Sequence, residues 1–271
     1  MSIDLPMPMP MPIDHSAHRS LPRETLFVSD LHLTPERPGT VELFLQFLAD
    51  RARRAERLFI LGDLYEAWIG DDDDTPPYPE VRRALRALTA SGTACTLLHG
   101  NRDFLIGRGF CRETGCTLRP EPALIELDGQ PILLMHGDLL CTDDTDYLRF
   151  RRKVRNPVVK RLFLWKSLAA RRAIAERHRR NSRTATAVKP EDLTDASPQA
   201  ITDYVKRFRA NRLVHGHTHR PADHEHVITG RTVIRSVLAQ WFPERGEVLV
   251  HRAGHWHREV VGRSSRRTIT G

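Results

Sequence analysis

Five times along this chain a short apolar run stops abruptly at residues able to hold a proton or a metal ion. Leu26–Val28 leads into Asp30-Leu31-His32, Leu58–Leu61 into Gly62-Asp63, and Cys95–Leu98 into Gly100-Asn101-Arg102-Asp103. Ile132–Met135 leads into His136-Gly137-Asp138, and Leu213-Val214 into His215-Gly216-His217-Thr218-His219. Runs this short and apolar at every position fit strands covered on both faces. Between the first three runs the apolar spacing turns helical. Phe44, Phe47 and Leu48 follow Pro38-Gly39 with Thr40 as the expected N-cap, and Val81, Leu85 and Leu88 lie between about Pro79 and Gly92. Strands alternating with helices predict an α/β sandwich. Open α/β sheets gather ligands at the carboxyl ends of their strands, so five polar loops are aimed at one place.

The residues at that place are Asp30, His32, Asp63, Asn101, His136, His217 and His219. Mixed carboxylate, imidazole and amide donors suit divalent Mn, Fe, Co or Zn better than Ca or Mg, which favour oxygen alone. Seven donors are too many for one tetrahedral ion and suit two ions sharing a carboxylate. Two metals about 3.5–4 Å apart can clamp the oxygens of a phosphoryl centre during in-line displacement. Arg102, beside Asn101, is suited to neutralise the charge that builds there. The sequence holds no G-x-S-x-G elbow and no G-x-x-x-x-G-K-[ST] loop. Hydrolysis of a phosphate ester or anhydride without a covalent nucleophile is the chemistry these residues read as.

Charge is concentrated too. Residues 145–190 hold 15 Lys or Arg against Asp146 and Glu176, a local +13 in a chain whose net charge is +8, so the remainder is mildly acidic. Within that segment Tyr147, Phe150 and Val154 share a helical face, Pro157 interrupts, and Leu162-Phe163-Leu164-Trp165 is apolar all round between cations. A helical cap inserted at about 145–200, both basic and greasy, is expected. Its partner is an anion: nucleic acid, an anionic membrane surface or a phosphorylated substrate. No apolar run approaches the roughly 18 residues of a membrane span, and the chain reads as soluble. Cys95, Cys111, Cys116 and Cys141 form no C-x-x-C pair and read as free thiols.

Residues 1–22, with their Met-Pro repeat and no secretory pattern, read as a disordered leader, 263–271 as a loose basic tail, and 23–262 as the working domain. Asp71–Asp74 lacks the glycine and distal glutamate of a calcium loop and reads as a solvated acidic loop. His224, His226, His255 and His257 read as surface histidines, His99 and His215 as structural ones.

In order, Asp30-x-His32, Gly62-Asp63, Gly100-Asn101-x-Asp103 and Gly216-His217-x-His219 resemble the pattern of the calcineurin-like metallophosphoesterases. The resemblance runs from about Thr25 to Trp241. The wording of Val28 to Leu33, Leu61 to Asp73, His99 to Leu105, Met135 to Asp144 and His215 to Pro221 is similar to a branch of that family acting in lipid A synthesis. The resemblance implies a two-sheet α/β sandwich with the cap inserted before the last ligand pair. It also implies a Mn²⁺-dependent enzyme, with a pair of ions per subunit, that cleaves the diphosphate of UDP-2,3-diacylglucosamine into UMP and the diacylated sugar 1-phosphate. By the same resemblance Asp30, His32, Asp63 and His219 hold the first ion, and Asp63, Asn101, His136 and His217 the second, with Asp63 bridging. Asn101, Arg102 and His136 take catalytic roles. Substrate contacts fall on Asn101, Arg102, Asp144, Ser182, Lys189 and His217. Thr186, where the family often has Asn, is counted with them, keeping a hydroxyl but losing the amide's two-sided bonding.

The implied location is cytoplasmic and peripheral, on the inner membrane's cytoplasmic face. Cap Arg and Lys would face anionic lipid while Leu162–Trp165 dips in or lines an acyl groove. Neither nucleic acid nor an obligate protein partner is expected. Two other readings stay open: a dimetal phosphodiesterase or nuclease with another substrate, and a non-catalytic basic binding module braced by metal.

Overall fold

The structure, a computed structural model, describes residues 24–188 and 195–262, and side chains only to His178 within the helix that ends at 188. The expected leader 1–22, the tail 263–271, Lys189 and the side chains of Ser182 and Thr186 lie outside the described residues.

Each of the five apolar runs forms or ends a strand. The strands are β1 (Glu24–Val28), β2 (Arg57–Leu61), β3 (Ala94–Leu98), β4 (Thr117–Leu118), β5 (Ala123–Leu127), β6 (Gln130–Leu134), β7 (Arg212–His215), β8 (Ala222–Ile228), β9 (Arg231–Val237), β10 (Arg245–Arg252) and β11 (His255–Gly262). They make two sheets, ordered β11-β10-β1-β2-β3-β4 and β5-β6-β7-β9-β8. β1 to β4 pair in parallel, as do β6, β7 and β9, while β10 and β5 run antiparallel to their neighbours.

The strands that carry the five runs, β1, β2, β3, β6 and β7, are largely apolar because both of their faces are covered. Alternate side chains leave a strand on opposite sides. Leu26, Val28, Leu58 and Ile60 pack with Phe44, Phe47, Val81 and Leu85 of helices α1 (Pro38–Asp50) and α2 (Tyr78–Ala90). Phe27, Phe59, Leu61 and Leu98 point the other way and meet Ile125, Ile132, Leu134 and Val214 of the second sheet. There the rings of Phe27 and Phe59 stack with centroids 5.3 Å apart. Each such side chain, fully buried, contributes about 1.5–3 kcal/mol. A short helix, α3 (Arg108–Thr114), follows β3. α1 starts three residues earlier than a Thr40 cap suggested, with Arg37 at the N-cap: Pro38 occupies its first turn, where no N–H is needed, and Thr40 is buried inside it.

Four helices stand between β6 and β7, the first three being α4 (Thr145–Val154), α5 (Pro157–Leu164) and α6 (Leu168–Val188). α4 is capped by Asp144, which accepts the Tyr147 N–H, and α5 by Asn156, which accepts those of Val158 and Val159. α7 (Pro198–Phe208) belongs to the body instead, laying Ala200, Ile201 and Val205 over Leu133 and Leu213 on the outer face of the second sheet.

Two expectations about charge are corrected here. The acidic loop is not merely solvated: Asp71 accepts N–H bonds from Gly107, Phe110 and the Trp68 indole, and Asp73 is buried. Asp72 and Asp73 pair with Arg171 and Arg172 of α6, so these two arginines grip the body rather than face a lipid surface. The loop sits directly opposite a basic helix, and pairing offsets the charges of both.

Candidate metal centre

β1, β2 and β3 end side by side, and β6 and β7 end opposite them. Their loops are stitched together through the backbone: Asp30 N–H donates to Gly62 O (3.2 Å), His32 N–H to Asp63 O (3.0 Å), and Gly216 N–H to His136 O (2.8 Å). The approach is closest at two glycines. A Cβ on Gly62 (φ +88°) would lie 2.5 Å from Gly100 N, and one on Gly100 would overlap the Asp63 carboxylate. Strain gathers here as well. Among the described residues nine other than glycine have positive φ, and five of them are Asp30, His32, Asp63, His217 and His219. A side chain held in that region costs on the order of 1–3 kcal/mol and persists where the surroundings over-determine it.

The seven side chains converge. His219 Nε2 is 3.2 Å from Asp30 Oδ1 and 3.4 Å from His32 Nε2, which is itself 3.8 Å from Asp63 Oδ2. On the other side of Asp63, its Oδ1 is 3.7 Å from His136 Nε2. Asn101 Oδ1 lies 2.9 Å from His136 Nε2 and 3.1 Å from His217 Nδ1. Asp30, His32 and His219 form one compact group of metal-binding type, and Asp30, Asp63 and His136 another. Asp63 thus stands between two clusters of donors.

These residues fit divalent cations on their own chemistry. Leu61 O can only accept, so the His136 Nδ1 beside it at 2.9 Å carries the hydrogen. Its Nε2 lone pair then faces two more acceptors, Asn101 Oδ1 and Asp63 Oδ1, an arrangement that positive charge between them reconciles. The titration of the site tells the same story. Burial works against a charged His136, yet the Asp63 and Asp30 carboxylates outweigh it and raise the imidazole to about 9. Burial works against ionised Asp30 too, but the His219 hydrogen bond and the His136 imidazole hold it well below the usual carboxylate range. His217, buried beside His136, is pushed down to about 4.

Other sequence-selected residues fall where their neighbours dictate. Arg102 donates its backbone N–H to Asp63 Oδ1 at 2.9 Å and lines a cavity of about 440 Å³ with Asn101. Asp144 sits at the start of α4 as its cap. His99, half-buried, reaches Ile106 O (2.8 Å) and buried His215 reaches Gly216 O (2.8 Å), both in structural positions. His255 and His257 are exposed; His224 and His226 are half-buried, with His226 accepting from Arg235.

Sequence reasoning missed the carboxylates behind the donors. Glu66 Oε2 stands 3.0 Å from His32 Nδ1, which leaves Nε2 turned to the site. Glu121 accepts the His136 backbone N–H at 2.7 Å and the Arg151 guanidinium at 2.9 Å. Buried Asp138 accepts from Arg151 Nε at 2.6 Å and from the Tyr147 hydroxyl. Glu66, three residues past Asp63, was reachable by asking what orients His32. Glu121 had no local signal.

The sequence pattern of the calcineurin-like phosphoesterases matches residues 24–221. A UDP-2,3-diacylglucosamine hydrolase from Salmonella arizonae is 50% identical over 226 residues, covering 83% of this chain and 94% of that protein. A protein of the same name from Pseudomonas paraeruginosa is 47% identical over 230 residues, covering 85% and 96%. Among solved structures, Vacuolar Protein Sorting 29 from Cryptosporidium parvum aligns over 90% of this chain and 99% of its own with a TM-score of 0.45 and 13% identity.

Proposed function

The chain belongs to the calcineurin-like phosphoesterase family, and from that premise we propose that it hydrolyses the diphosphate bond of UDP-2,3-diacylglucosamine in lipid A biosynthesis, giving UMP and 2,3-diacylglucosamine 1-phosphate. The observation that carries the substrate is the cavity. Asn101 and Arg102 share it with Trp68, Phe104, Phe150, Val154, Phe163 and Ile174, so phosphate-reading and acyl-accepting walls adjoin.

In this reading Asp30, His32, Asp63 and His219 hold one Mn²⁺, and Asp63, Asn101, His136 and His217 hold another. The bound pair supplies Lewis acidity to the phosphoryl oxygens and draws the nucleophile from water. Arg102 presents planar N–H donors to the charge growing on the attacked phosphorus. Glu66 fixes His32 through its Nδ1, and Leu61 O fixes His136 in the same way. The departing sugar phosphate has a second ionisation near about pH 6, so it leaves without a strong general acid. Asp144, Ser182, Thr186, Lys189 and His217 complete the substrate contacts. α5 leaves Val158, Leu162, Leu164 and Trp165 exposed next to Arg161, a surface suited to peripheral binding on an anionic bilayer. No helix among the described residues is long and apolar enough to cross a membrane.

The deciding experiment incubates the Mn²⁺-loaded protein with UDP-2,3-diacylglucosamine in ¹⁸O-water and reads the products by mass spectrometry. Label in UMP is expected. Label in the sugar phosphate, absence of UMP, or faster cleavage of an oligonucleotide under the same conditions would sink the assignment.

A further inference from the structure

Tyr147, Arg151 and Arg155 recur every fourth residue, so they share one face of α4 and its end, and that face is turned into the body. The Tyr147 hydroxyl donates to Asp138, and its ring lies over that of His217 with centroids 6.4 Å apart. Arg151 spans two buried carboxylates, Nε to Asp138 at 2.6 Å and Nη2 to Glu121 at 2.9 Å. Arg155 Nη2 donates to Gly100 O at 2.8 Å. The receiving groups are not scattered over the body. Glu121 holds the backbone N–H of His136 at 2.7 Å, Asp138 follows His136 by two residues, and Gly100 immediately precedes Asn101. The three cap side chains therefore seize the two loops that carry Asn101 and His136. None of these bonds reaches Asp30, His32 or His219.

We infer that Arg151 is a positioning residue, through which the seating of α4 sets the affinity of the second cation site while leaving the first untouched. The inference rests on the two-ion reading above. Its physical basis is the bridge: without the guanidinium, Glu121 and Asp138 are two buried carboxylates with their shared cation gone. Glu121 then relaxes toward water, and the His136 backbone that it holds moves with it. The donors peculiar to the first site, Asp30, His32 and His219, take no bond from these cap side chains, and Asp63 is shared by both sites. Groups that orient metal ligands from behind are worth about ten- to a hundredfold in metal affinity.

The test is calorimetric titration of metal-free full-length protein with MnCl₂, with activity followed separately as Mn²⁺ is raised. Wild type takes up two equivalents; fewer would remove the two-ion premise and overturn both claims. Arg151→Met is expected to bind the first equivalent within about twofold of wild type and the second about ten- to a hundredfold more weakly. Its kcat should recover as Mn²⁺ is raised. Arg151→Lys recovers part of the second affinity, because an ammonium cannot span both carboxylates. Arg152→Gln, on the exposed side of α4, binds both as wild type does. Arg155→Gln shifts the second equivalent in the same direction by less, and decides the matter alone if Arg151→Met does not fold. Two unaltered equivalents in the Arg151 and Arg155 variants, or equal weakening of both equivalents, overturns the positioning role.

Discussion

Arg171 ties the cap to the loop after β2, and its removal should open the cap without unfolding the body. The side chain is 3% exposed and donates to Ile69 O at 2.7 Å, to Lys166 O at 3.1 Å and to both oxygens of Asp72. Gly70, whose Cβ would collide with this guanidinium, is what lets it enter. A hydrogen bond from a charged donor to a carbonyl is worth about 1.5 kcal/mol net, and of the two carbonyl bonds only the one to Ile69 O crosses from cap to body, the Lys166 bond being internal to the cap. Asp72 is 62% exposed and re-solvates on losing its partner, so the ion pair adds only about 0.5 kcal/mol. Arg171→Met keeps the stem's bulk and removes every donor. Together the Ile69 bond and the ion pair make about 2 kcal/mol, a shift of roughly thirtyfold in the open fraction of the cap, since each 1.4 kcal/mol is tenfold. Hydrogen exchange read by mass spectrometry separates the outcomes. Amides of α5 and α6 should exchange about thirtyfold faster while those of β1, β2 and β3 keep their protection. Unchanged protection in α6, or loss spread evenly over cap and strands, would refute the latch.

Further outcomes follow from the same structure. Asp63→Ala, which removes the carboxylate between the two donor clusters, should abolish turnover and lower Mn²⁺ uptake, whereas chelation of wild type should be reversed by Mn²⁺; atomic absorption on dialysed protein and a UMP-release assay check both. Val154→Asp puts a charge on the apolar wall of the cavity, so KM for the diacylated substrate should rise about ten- to a hundredfold while that for a UDP-sugar without acyl chains stays as it is, as steady-state kinetics on the two will show. The Arg171 hydrogen bond lowers the Asp72 pKa beneath its ordinary 3.8, so the ion pair's share of the latch is complete above that value and is lost as pH falls through and below it; pepsin should nick the wild-type cap about twofold faster at pH 3 than at 4.5, relative to the Arg171→Met variant at the same pH.

The strand ends were legible in the sequence because two signals coincide there. An apolar run of two to four residues announces a strand covered on both faces, and the polar residue that ends it has nowhere to go but the carboxyl edge of the sheet. Asp30, Asp63, Asn101, His136 and His217 each follow such a run, and their side chains meet in space. The cap's interior was harder to read. Local spacing put Tyr147, Phe150 and Val154 on one face, yet nothing local says that Arg151 crosses to Glu121, 30 residues earlier and in another layer. Nor does charge composition separate a cation that faces solvent from one that is spent on a carboxylate across an interface. Arg171 and Arg172 looked like neighbours of lipid for that reason, and the acidic loop that absorbs them looked idle.

The chain's four tryptophans divide unevenly between body and cap. Trp68 and Trp241 are buried, Trp256 is half-buried against Phe27, and Trp165 alone stands at the end of α5, 70% exposed with Arg161 over its ring. That indole is a built-in fluorophore at the tip of the cap. Its emission wavelength and its quenching by iodide or brominated lipid report what touches the cap, with no label attached and with the body's indoles shielded as an internal reference.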